Sequence, residues 1–226
     1  RCVHLWLQDA GSKSFDAQVL NDVLAESFDR WASAQGDELK GILRGYTCFE
    51  EVGISPWPGA QNLVQFRETP GSWIHPKRIA GLTTVMYREE TGEIVDADIE
   101  FNLVNERFTV DGSVDSFSLR YTMTHELGHL LGLDHSTTNA SVMAVNSVPK
   151  HIDGFILHSD DKNAIAANYP MGLGETSCKD TSFFAPDSSY CPAEPESSGC
   201  ALASGSSGLG WFLSFLLIVG VVRRFA

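Results

Sequence analysis

The chain is poor in basic side chains. Its 226 residues carry 16 Lys and Arg against 29 Asp and Glu, a formal net charge of −13. That balance argues against nucleic acid as the main partner, because phosphate contacts need clustered positive charge. None of the five cysteines (Cys2, Cys48, Cys178, Cys191, Cys200) forms a CxxC pair, so neither a thiolate zinc ribbon nor a thioredoxin-like site is expected. There is no internal repeat. The main apolar run, Trp211 to Val222, is shorter than the roughly 20 residues that span a bilayer. The chain starts at Arg1 without a Met or an apolar leader, and a trimmed signal peptide or pro-segment is the expectation.

What is present suffices for a packed core: 43% of the residues are hydrophobic, including five Trp. The acidic balance suits a soluble protein working outside a cell. In that setting an odd cysteine count implies two bridges and one cysteine with another fate. Cys2–Cys48 and Cys178–Cys191 are the expected pairs, each within its own region.

Val3 to Gln8 alternates partly and reads as a strand. Asp16 to Ala34 places Val19, Leu20, Val23, Leu24, Phe28 and Trp31 at helical spacing, with a cap near Ser14 or Asp16 and a stop at Gly36. Cys48 to Ile54, Asn62 to Arg67, Leu82 to Arg88 and Ile94 to Asn102 are further strands. Ser118 to Leu131 is a second helix with Leu119, Met123, Leu127, Leu130 and Leu131 as its buried stripe. A third runs from Asp160 or Asp161 to Asn168, its acids suiting a helix N-terminus. This order predicts an α/β (α+β) domain with a mixed sheet over residues 1–172. A Ser/Gly/Pro-rich linker follows at 173–208, then a hydrophobic tail at 209–226.

The chemistry concentrates in His125-Glu126-Leu127-Gly128-His129-Leu130-Leu131-Gly132-Leu133-Asp134-His135. His125 and His129, four apart on a helix, present two imidazoles side by side. Gly132 can take the left-handed conformation that ends a helix, and the turn brings His135 back to the same point. Three neutral imidazoles suit zinc and leave one coordination position open, the pattern of a catalytic site. Glu126, rotated away from the ligands, reaches the solvent molecule in that position and is the expected general base.

These residues resemble the metzincin clan of zinc proteases, and Ser136 after the third histidine resembles its matrixin (matrix-metalloprotease-like) branch. The resemblance runs from about Cys2 to Pro170 and includes Gly81-Leu82, Asp96-Ala97-Asp98-Ile99-Glu100-Phe101-Asn102 and Ser159-Asp160-Asp161. It implies a twisted five-stranded sheet with three helices and a zinc cleft at the second helix. It places Met143 in a Met-turn beneath the metal, and makes the strand at Gly81, Leu82, Thr83 and Thr84 the rim on which an extended substrate pairs. It implies no tyrosine ligand, as none follows Met143 by two positions. With only His4 and His75 upstream, it implies no second, structural zinc. Asp96, Asp98 and Glu100 offer oxygens for a calcium ion, but alternating acids more often form a solvated strand face. His151 and His158 are expected in surface loops. The residues after Cys2 do not fit a cysteine switch.

Gly199-Cys200, the Ser/Gly spacer, the apolar run and Arg223-Arg224 resemble the MYXO-CTERM class of bacterial sorting tails. That resemblance implies a cleaved tail and a surface anchor on Cys200; a short retained membrane anchor is the alternative. The expectation is a secreted, monomeric, bacterial zinc metalloendopeptidase acting on proteins or peptides. The competing reading is a catalytically silent zinc-binding adhesion module. Residues after Met143, such as Asn146 to Phe155, are expected to shape the specificity pocket.

Overall fold

In the computed structural model, the described residues are 2–8, 11–35, 39–47, 62–110, 113, 115–145 and 156–170, with the backbone of 189–190 and 215–221. Strand β1 (Cys2–Gln8) leads to helix α1 (Ala17–Ser33), then β2 (Lys40–Thr47), β3 (Asn62–Arg67), β4 (Gly81–Arg88) and β5 (Ile94–Asn102). Two short strands, β6 (Phe108–Thr109) and β7 (Phe117–Ser118), precede α2 (Leu119–Leu130), and α3 (Ser159–Asn168) follows. The main sheet has the order β2-β1-β3-β5-β4. Its first four strands are parallel, and β4 runs antiparallel to β5. Backbone pairing extends both edges: β8 (Ser189–Tyr190) lies parallel on β2, and β9 (Phe215–Val221) antiparallel on β4. This is the expected mixed five-stranded sheet with three helices. Among the described residues, no helix is long and apolar enough to cross a membrane.

Of the five main-sheet strands, β2 was not foreseen, and neither were the short pair β6 and β7 or the edge strands β8 and β9. Lys40–Thr47 contains Gly41 and Gly45, which interrupt its alternation. Gly45 sits at φ 135°, where the register with β1 slips between Leu5 and Trp6, so the second glycine serves a bulge. The expected Cys48–Ile54 strand, the Gly36 stop, Cys48, Cys178, Cys191, Cys200, His151 and the Asn146–Phe155 stretch lie outside the described residues. Cys2 is disulfide-bonded.

The core lies between the sheet and helices α1 and α2. Leu5, Leu7, Val64, Ile99 and Phe101 meet Leu24, Phe28, Trp31, Met123 and Leu127. Phe101 stacks on Phe66 at 5.0 Å and meets Phe108 edge-on at 5.8 Å. Helix α2 is anchored at both ends. The Ser118 side chain accepts from Tyr121 N at its start. At its end Gly132, at φ +82°, lets Gly132 N donate to His129 O (2.8 Å) and Leu133 N to Gly128 O (2.9 Å), a Schellman ending.

The opposite sheet face corrects the expectation of solvated acids. Asp96, Asp98 and Glu100 are only 2%, 2% and 3% exposed. Glu100 pairs with Arg67 Nε at 2.6 Å and His75 Nε2 at 3.1 Å, and Asp98 accepts from Leu63 N at 2.9 Å. Asn102 donates to Lys77 O and Ile79 O, tying the preceding loop over this face, where Trp73, Ile79 and Leu82 form a second apolar cluster. The oxygens of Asp96 have no close hydrogen-bond partner, the Ala97 backbone offering only weak relief. Burial, with the Asp98 charge adding to it, pushes its carboxyl from 3.8 up to about 8.

A carboxyl that keeps its proton longer in the fold stabilises the fold fully at low pH. That contribution falls as the pH rises from about 4 to 8, by up to about 1.4 kcal/mol per pH unit. In metal-free buffer, Asp96→Asn is expected to raise the thermal unfolding midpoint at pH 8 and to change it little at pH 4. An identical shift at both pH values would contradict a buried, protonated Asp96.

Candidate metal centre

Helix α2 carries His125, Glu126 and His129, all buried. All of α2 except Arg120 is buried, and its histidine face meets the turn at 141–144 and β4. Enclosure makes hydrogen-bond direction decisive, since each buried polar atom needs a partner.

The Nδ1 of His125 lies 2.7 Å from Val142 O, and that of His129 lies 2.8 Å from Leu133 O. A carbonyl can only accept, so each Nδ1 carries the proton and each Nε2 presents a lone pair. Those two Nε2 atoms face each other at 3.2 Å. Two lone pairs at that distance repel unless a cation lies between them. Nitrogens bound at about 2.0–2.1 Å to one tetrahedral ion stand about 3.3 Å apart. The third ring, His135, arrives through the Gly132 turn, and its buried Nε2 has no protein partner. The ligand atoms of His125, His129 and His135 all lie within 4.8 Å of one another. The orphaned nitrogens and their spacing fit zinc, which these three residues would hold.

Electrostatics agree with the geometry. Burial, reinforced by the His129 and His135 charges, holds His125 well below the ordinary imidazole value. Burial and the His135 charge bring His129 down to about 4, and burial lowers His135. Neutral rings are the ligating form. Burial pushes the Glu126 carboxyl up to about 8, opposed by a hydrogen bond from Thr83. Among the described residues no other group brings three His, Cys, Asp or Glu ligand atoms together, and Asp96, Asp98 and Glu100 do not form one.

Met143 is buried against Gly128 of α2. A Cβ at Gly128 would stand 2.3 Å from Met143 Sδ and 2.9 Å from Trp31 Cζ2. The turn carrying Met143 is held by Asp161 at the start of α3. Its carboxylate accepts from Ser141 Oγ, Val142 N (2.9 Å), Met143 N (3.2 Å) and His158 N (2.8 Å). Val142 O in turn receives His125 Nδ1 and Tyr121 Oη (2.9 Å). Ser136 joins the same scaffold, through Ser136 N to Met143 O (2.8 Å) and Ser136 Oγ to Asp160 (2.5 Å).

Of the expected rim residues, Gly81 and Thr83 face Glu126, whereas Leu82 packs on the far side with Trp73 and Ile79. Thr84, next along the strand, is half-buried. His158 caps α3, with its side chain accepting from Asp160 N. Residue reading missed Gly128, Tyr121 and the stapling role of Asp161. A glycine inside a helix that it weakens was the available signal for the first. Asp161 looked like an ordinary first-turn acid.

A mixed sheet, a helix carrying two histidines and a third histidine delivered beyond a glycine turn over a buried methionine together form a candidate metal centre of the kind that the resemblance to metzincins implies. Residues 71–170 match the family model of the matrixin peptidases. Interstitial collagenase A of Mus musculus is 35% identical over 163 residues, 72% of this chain and 28% of that protein. Matrix metalloproteinase-21 of Cynops pyrrhogaster is 39% identical over 72 residues, 32% of this chain and 11% of its own length. The same-named protein of Xenopus laevis is also 39% identical over 72 residues, 32% of this chain and 12% of its own length. The chain thus spans between about a tenth and three tenths of the curated relatives it matches.

Gly128→Ala would favour an isolated helix by about 1 kcal/mol. Here overpacking against Met143 and Trp31 is expected to dominate and to lower stability by about 1–3 kcal/mol. Urea unfolding checks this; equal or greater stability would contradict the close approach of Met143 to the helix.

Proposed function

We propose that the protein is a zinc-dependent endopeptidase in which His125, His129 and His135 hold the metal and Glu126 is the general base. The observation that carries this reading is the pairing of three converging imidazoles with one buried carboxylate, Glu126, whose Oε1 has no protein partner. When bound, zinc supplies a Lewis acid that polarises the scissile carbonyl and acidifies the attacking water. Glu126 takes the proton from that water and delivers it to the leaving amine. The half-buried His135 side leaves a route for substrate, while α2 keeps Glu126 away from bulk solvent.

An extended substrate pairs with the outer edge of β4. What supports this is the edge itself: β9 runs antiparallel along it, from Leu82 opposite Val221 to Arg88 opposite Phe215, the pairing that a bound peptide would make. The protein acts outside the cell as a monomer, with Cys2 bridged to Cys48. The tail around 209–226, with Cys200, serves surface sorting or anchoring in a bacterial setting.

A silent zinc-binding adhesion module would not need a carboxylate beside the metal cluster. The two readings part on one variant. Glu126→Gln is expected to bind zinc at one ion per chain and to lose about 10²–10⁴-fold in cleavage of a peptide library. A chelator should abolish cleavage by the wild type. Undiminished cleavage by Glu126→Gln would contradict the role of Glu126, and the lack of any cleavage by zinc-loaded wild type would favour the adhesion reading.

A further inference from the structure

The rim strand does more than face the substrate. Thr83 Oγ1 lies 2.6 Å from Glu126 Oε2 and 3.1 Å from Glu126 O. A hydroxyl has one proton, and when Glu126 is ionised the shorter contact, to its carboxylate, receives it. Thr83 and Glu126 are both 0% exposed, so bulk water does not compete for this bond. The other carboxylate oxygen, Oε1, has no partner. It lies where strand β4 has no side chain: a Cβ at Gly81 would stand 2.6 Å from Oε1 and 2.9 Å from Thr122 Cγ2. Two residues apart on β4, Gly81 and Thr83 therefore treat the two oxygens differently, one making room and the other making a bond.

The physical need for such a device follows from the side chain. The last torsion of Glu is broad, so a carboxylate without a fixed partner rotates. Thr is β-branched and stiff at χ1, and Thr83 is buried on β4 opposite Ile99 of β5. Its hydroxyl is thus a rigid point. With Oε2 held there, Oε1 is the oxygen left free for the attacking water.

We propose that Thr83 is a positioning residue that locks the orientation of the Glu126 carboxylate, with Gly81 as the gap that admits its free oxygen. The inference rests on the reading of Glu126 as general base. It assigns the Thr83 side chain a task separate from the backbone pairing expected of the rim. Displacing a reacting group by about 1 Å costs up to about 10²-fold in rate, and losing a partner that orients a group at a metal site costs about 10–100-fold.

The test uses the full zinc-loaded chain and one quenched fluorescent peptide selected from the library. Thr83→Val keeps shape and removes the hydroxyl. It is expected to lower kcat about 10–100-fold, with KM within about twofold and one zinc per chain retained. Thr83→Ser should restore most of kcat. A second measurement needs no turnover: urea unfolding of the metal-free chain in a double-mutant cycle with Glu126→Leu. Thr83→Val should lower the midpoint when Glu126 is present and leave it unchanged in the Glu126→Leu background. Wild-type kcat in Thr83→Val, or an equal midpoint shift in both backgrounds, would overturn the proposal. Activity retained in Glu126→Gln would instead overturn the base, while the unfolding cycle still reports the Thr83–Glu126 bond. The two failures are therefore distinguishable.

Discussion

Three imidazole nitrogens brought to one point, uncharged and with no protein donor aimed at them, are the constraint around which the rest of the domain is arranged. Left alone, lone pairs at 3.2 Å repel. The fold keeps them there by fixing the far side of each helical ring to a backbone carbonyl, Val142 O for His125 and Leu133 O for His129. Both carbonyls come from the chain just after the helix. The Schellman turn at Gly132 sets the position of Leu133, and the Asp161 carboxylate sets that of Val142. Helix α3, far from the motif in sequence, is thereby part of the metal site through the donors its first turn accepts.

The sheet contributes through its edge strand and through its two different faces. Toward α2, β4 offers a gap at Gly81 and a hydroxyl at Thr83. Away from α2, it offers Leu82 to an apolar cluster under the loop before it. Strand alternation makes this division automatic: residues of one parity serve the site and residues of the other serve the loop packing. The same parity rule explains the acids of β5. Ile99 and Phe101 fill the core, so Asp98 and Glu100 must face the other side, where Arg67, His75 and Leu63 N satisfy them.

Local periodicity made the helices, β1, β3, β4 and β5 legible, because those elements bury one continuous stripe or face. The histidine spacing made the metal site legible, since a four-residue step on a helix leaves little freedom. Strand β2 was illegible because its two glycines, one of them in a bulge, break the alternation on which the reading depends. The acids of β5 were read as solvated, since nothing local announces that the loop tied down by Asn102 will cover them. Gly128, Tyr121, Thr83 and Asp161 act through contacts between residues distant in sequence, and no motif spacing encodes such contacts. The Thr83–Glu126 bond, for instance, joins residues 43 apart.

The central claim is a single metal ion bound by three imidazoles with a fourth position left to a light atom. Zinc K-edge X-ray absorption on the zinc-loaded full chain addresses it directly. The account predicts a four-coordinate first shell of nitrogen and oxygen at about 2.0–2.1 Å, with the outer-shell scattering of three imidazole rings. A sulfur ligand at about 2.3 Å, or fewer than three imidazoles on the bound metal, would contradict it.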